Sequence, residues 1–158
     1  MRTAVLLAWL AFAALLLLSL PLLPAEVGDN AGQALPKLAY VAVMLASATL
    51  PLLLMGEAPL RWLAGHAPLL LKMPHRRYWL APERFEASLT RLCAHMHWMR
   101  LWVLVLLAGV HLVLLWRSHP AWPQVPGWAA GLALPALMLA SMFWAIRVRR
   151  LFPRPPKS

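Results

Sequence analysis

Four apolar runs, at residues 4–23, 38–55, 101–116 and 127–146, constrain this chain more than any other feature. A helix that crosses the hydrocarbon core of a bilayer needs about 20 mostly apolar residues. The first and fourth runs meet that length outright. The second has Ser47 and Thr49 as its polar residues. The third reaches spanning length if it begins near Trp98 and holds Arg100 at the interface. Lipid offers backbone N–H and C=O groups no partner, so each run must close its own hydrogen bonds as a helix. The expectation is an all-α membrane protein with four transmembrane helices. Its single domain covers residues 1–158, with spans at about 4–23, 38–56, 98–117 and 127–147 and a connecting loop at 57–97.

Charge orients these spans. The chain carries a net charge of +10, which in a soluble protein would point to nucleic acid. Here placement decides otherwise. Of 15 Lys and Arg residues, only Lys37 and Arg117 lie between the first and second runs or between the third and fourth. The rest precede the first run, separate the second from the third, or follow the fourth. This alternation is the positive-inside pattern, with both termini and the 57–97 loop in the cytoplasm. Anionic lipid head groups are then the expected partner of the basic surplus, at roughly 1 kcal/mol per residue near the surface, and nucleic acid is not. Cys93 is the one cysteine, so no internal disulfide forms. On the cytoplasmic side its thiol stays reduced. Arg2 followed by the first run also resembles a secretory signal cleaved near Ala25, but the apolar stretch is longer than the usual core of about 7–15 residues.

Tryptophans mark the interfaces. Trp116, Trp122 and Trp128 bracket one outer loop, and Trp98, Trp102 and Trp144 fall near the inner face, as aromatic belts do. Trp62, in apolar company with Leu60 and Leu63, implies an interfacial segment over residues 59–71. Pro21, Pro51 and Pro135 imply local kinks, which membrane helices tolerate.

Residues 73–84, MPHRRYWLAPER, form a polar and aromatic island between the two pairs of runs. Pro74 and Pro82 bound an extended or turn stretch, because a residue before proline avoids the helical region. A helix is expected from Pro82, with Glu83 and Glu86 in a first turn that favours negative charge. Phe85, Leu89, Leu92 and Met96 then make one apolar stripe, opposite Ala87, Arg91 and Ala94. This is an amphipathic cytoplasmic helix that continues into the third span. Tyr78 and Trp79 have rings to bury against helix ends or lipid. Arg76, Arg77 and Arg84 suit lipid phosphates, or Arg84 suits helix carbonyls. The island therefore reads as a clamp between the second and third spans, or as a docking surface for a cytoplasmic protein partner.

Few other residues point to chemistry. His111 is the only ionisable residue deep in an apolar run. Such residues are functional candidates, although a neutral imidazole also serves as polar glue, with Ser47, Thr49, Ser141 or a helix carbonyl as the expected partner. His97 and His111 lie about 21 Å apart on one helix, too far to share a metal. Their spacing resembles stacked haems, but the other three runs hold no histidine, and no cofactor is expected. Cys93 and His97 are adjacent on a helix, yet a closed zinc site takes about four ligands. No carboxylate lies in any run, which argues against a coupled transporter. Phosphate-loop, nucleophile-elbow and HExxH motifs are absent, and no enzyme is expected.

The string Pro74, His75, Arg76, Arg77, Tyr78, Trp79, Leu80, Ala81, Pro82, Glu83, Arg84 resembles the signature of uncharacterised bacterial inner-membrane proteins marked by YWLAPER. Their N-terminal half is a domain of unknown function, distantly similar to membrane immunity proteins that protect bacteria from their own secreted killing peptides. The resemblance covers the layout of most of the chain but the residues of this segment alone. After Leu23-Pro24 that domain would carry a His-Phe pair, whereas this chain has Val27, Gly28, Asp29 and Asn30. The resemblance implies the bacterial inner membrane, and a non-enzymatic accessory or immunity-type protein that acts by binding. The alternative is a small oligomeric transporter or channel subunit.

Overall fold

The computed structural model describes residues 2–28, 34–71, 73–119, 121–123, 128 and 131–154. It is mostly helical. Helix α1 covers Arg2–Ser19 and runs into a 3-10 turn at Leu20–Leu22, where Pro21 ends the α-helical ladder. Helix α2 is Lys37–Leu54, with Pro51 in its last turn. Short helices follow at Glu57–His66 (α3) and Arg76–Trp79 (α4), with a 3-10 turn at Pro68–Leu70 between them. Helix α5 is unbroken from Phe85 to Arg117, and α6 is Ala133–Leu151.

Among the described residues, three segments are long and apolar enough to cross a membrane: Thr3–Leu22, Lys37–Leu54 and Phe85–Arg117. Helix α6 is not among them. It carries Arg147, Arg149 and Arg150 and continues past the expected end at 147. The expected start of the fourth span, at residues 127–130, lies outside the described residues except for Trp128.

The all-α expectation also needs amendment. Residues Glu26–Val27 (β1) and Leu35–Pro36 (β2) pair antiparallel, Glu26 with Pro36 and Val27 with Leu35. Lys37 N–H donates to the Ala25 carbonyl at 3.0 Å, so this ladder delivers the chain directly into α2. At its exit Gly28 has φ 151°, which glycine adopts without a Cβ clash. Asp29 and Asn30 lie outside the described residues.

Helices α1, α2, α3 and α6 all pack on α5, and its two halves serve two stacked cores. Leu104 and Leu115 meet Phe12, Leu16, Tyr40, Met44 and Ala48 in one core. Leu89, Leu92, Cys93 and Met96 meet Leu60, Leu71, Met73, Val148 and Phe152 in the other. Elsewhere large side chains face outward: Leu7, Leu18, Leu38, Leu54, Met138 and Leu139 are all exposed. So many exposed large apolar side chains suit lipid rather than water.

Candidate functional site

His111 is fully enclosed in the first core. Its Nε2 lies 2.8 Å from Ser19 Oγ and its Nδ1 lies 2.9 Å from Tyr40 Oη. The expected partners on Ser47, Thr49 or Ser141 are not the ones used. Thr49 instead accepts from Trp9 Nε1 at 3.2 Å and donates to the Leu45 carbonyl. The partners of His111 come from the end of α1 and the start of α2, because α5 rises between those two points.

The direction of the network follows from donor counting. Ser19 donates its hydroxyl proton to the Leu16 carbonyl at 2.9 Å, leaving its oxygen to accept. His111 Nε2–H therefore donates to Ser19, Nδ1 is the acceptor, and Tyr40 donates to it. One neutral tautomer completes this chain, with both ring nitrogens bonded. Nitrogen-15 NMR of histidine-labelled protein should find His111 protonated on Nε2. A Nδ1–H tautomer would contradict the assignment.

At the opposite end the island 73–84 folds against the close of α6. His75 holds a left-handed backbone (φ 49°, ψ 38°) that turns the chain into α4. Histidine visits this region more readily than most residues, at a cost on the order of 1 kcal/mol. Pro74 is half-buried, while Arg77, Pro82 and Glu83 are exposed. Trp79 sets its ring edge-on to Tyr78 at 5.1 Å and to Phe152 at 5.7 Å, and its Nε1 donates to the Pro153 carbonyl at 3.2 Å. Arg84 lies 4.1 Å over the Tyr78 ring, a cation–π contact rather than a carbonyl cap. Arg76 donates to the Leu69 carbonyl at 3.2 Å.

The helix after Pro82 begins three residues later than expected. Residues 82–84 form a turn closed by Arg84 N–H on the Ala81 carbonyl, and α5 starts at Phe85. Glu83 is thus left in the turn. Glu86 takes the first-turn place, but its carboxylate accepts from both Arg61 Nη atoms at 2.6 and 2.9 Å. That guanidinium holds the Glu86 carboxyl below the usual carboxylate range. The pair is exposed, so it fixes geometry more than it stabilises.

Arg61 belongs to a charged cleft that the sequence reading missed. Glu57 approaches Arg61 at 4.0 Å. Arg100 is buried, and its Nη2 donates to the Met55 carbonyl at the close of α2. Glu57, Arg61, His97 and Arg100 line a cavity of about 560 Å³ beside Val5 and Leu52. An adjoining cavity of about 310 Å³ shares Glu57, Arg61 and His97 and adds Thr90 and Cys93. The Glu57–Arg61 spacing of one helical turn was the available signal. Among the described residues no group of three or more His, Cys, Asp or Glu side chains is placed to hold a metal ion. With both nitrogens of His111 bonded inside the protein, the haem arrangement loses one of its two ligands.

Comparison with protein-family models, curated proteins and solved structures finds no match to this chain.

Proposed function

We propose that the chain is a bacterial inner-membrane protein with four spans and both termini cytoplasmic, and that it is a non-enzymatic accessory or immunity-type protein that works by binding. The observation that carries this reading is the division of polar groups between the two cores. In the first core they are consumed by one another: Ser19, Tyr40 and His111 form a closed network, and Trp9 bonds Thr49. At the other end Glu57, Arg61, His97 and Arg100 converge on open cavities. A proton relay needs an intramembrane ionisable group with a bond to exchange. His111 has none to spare, which favours binding over a proton-coupled transporter. The protein partner would meet the charged cleft between α3 and α5.

Photo-crosslinkers at exposed Thr90 and Ala94 test this in intact cells. One discrete adduct, lost in Arg61→Ala, is the expected result. Absence of any adduct, together with solute or ion flux that depends on His111 in proteoliposomes, would replace binding with transport.

A further inference from the structure

A second groove, of about 510 Å³, lies where the Pro68–Leu70 turn and α4 meet α6. Its walls include Leu69, Leu71, Val148 and Trp144, and its charged residues are Arg76 and Arg149. No carboxylate is among its described lining residues. It adjoins a cavity of about 510 Å³ that shares Met73 and Arg76 and adds His75 and Arg77. Both charged side chains in the groove wall are cations. Trp144 Nε1 is buried without a hydrogen-bond partner, and His95, stacked 5.8 Å from the Trp144 ring, has both ring nitrogens buried without one. A groove of this composition calls for an anion.

The helix beside it calls for more than an anion. Met138, Met142, Ala145 and Arg149 fall at i, i+4, i+7 and i+11 along α6, one stripe about 16 Å long. Met138 and Met142 are 73% and 59% exposed, so the stripe is an uncovered apolar track that ends in a cation. Phosphate at one end and hydrocarbon along the rest is the chemistry of a phospholipid.

We propose that this groove binds one anionic phospholipid. Arg76 and Arg149 hold its phosphate, and an acyl chain lies along Ala145, Met142 and Met138. The site rests on the membrane reading above and gives it a particular ligand. It also reassigns the island's arginines. Arg84 lies over the Tyr78 ring and Arg77 is not among the groove's described lining residues, so Arg76, whose Nη1 also holds the Leu69 carbonyl, is the member of the triplet that reaches the lipid together with Arg149 from α6.

The test uses the full chain in nanodiscs of phosphatidylcholine with or without phosphatidylglycerol, followed by native mass spectrometry of retained lipid. Phosphatidylglycerol should be retained over phosphatidylcholine. Arg149→Gln should lower that preference about fivefold, and Arg76→Gln with Arg149→Gln about 25-fold. Arg91→Gln, an exposed arginine on α5 outside the groove, should leave it unchanged. Arg149 is exposed, so its single variant keeps the test valid should Arg76 prove necessary for folding. Equal retention of both lipids, or an equal loss in Arg91→Gln, overturns the proposal. Displacement by millimolar inorganic phosphate also overturns it, because the site then recognises a free anion. Failure of the wild-type chain to enter nanodiscs would instead strike at the membrane reading.

Discussion

His111→Leu should lower the stability of the detergent-solubilised protein by about 3 kcal/mol, a fall of roughly 6–12 °C in melting temperature. Leucine approximates the volume of the imidazole, so the loss reports hydrogen bonding more than a cavity. Two partners lose their bonds at once. Tyr40 loses the acceptor for its hydroxyl, and Ser19 loses the donor to its oxygen, both at buried positions. Interhelical hydrogen bonds between membrane helices average only about 0.6 kcal/mol, because the separated helices find other partners. The larger figure applies here because the site is closed by protein on every side, at 0% exposure. Tyr40→Phe combined with His111→Leu should cost less than the sum of the two single changes, since the double variant removes a donor together with its acceptor. A melting temperature unchanged in His111→Leu would mean that the network carries no net stability.

The second large effect belongs to Phe152→Ala. Phe152 is 1% exposed, and the Trp79 ring stands against it. Buried Phe→Ala changes cost about 3–5 kcal/mol when the whole fold must bear them. Phe152 lies just past the last helix, so a local opening is the easier response. Limited trypsin digestion should therefore cut Phe152→Ala at Arg149 and Arg150 well before the wild type, while α5 stays protected. Trp79→Phe, which keeps a ring but loses the bond to Pro153, should fall between the two. Identical digestion of all three proteins would show that the clamp is not what holds the chain end.

Much of the scaffold was legible because hydrophobic length is a one-dimensional property. Both ends of α2 and the C-terminal end of α5 fall within two residues of the expected spans, since hydrophobic length and loop charge act on consecutive residues. The stripe Phe85, Leu89, Leu92, Met96 was readable for the same reason, and three of its four members are buried. Partnership was not readable. Ser19 and Tyr40 gave no signal as ligands of His111, because they lie 92 and 71 residues from it and meet it only through the rise of α5. Glu86 is the helix-start residue expected and is also an ion-pair partner, which follows from where α3 sets Arg61. The α3–α5 cleft was missed because Arg100 and His97 were read on their own helix, and nothing local ties them to Glu57 and Arg61 far earlier in the chain. The island 73–84 was singled out by composition, but its contacts with Phe152 and Pro153 come from the far end of the chain.

The Ser19–Tyr40–His111 network has a consequence for how the protein is made. On the membrane reading proposed above, α1 and α2 are delivered long before His111 exists, so both helices enter the bilayer with a serine and a tyrosine hydroxyl still seeking company. The network can close only when the third apolar helix arrives. Until then the first hairpin is an unfinished assembly, held by Trp9 and Thr49 alone among its described side-chain bonds. A chain truncated before His111 should accordingly be a substrate for membrane quality control, whereas one truncated just after Arg117 should already keep its first three helices together.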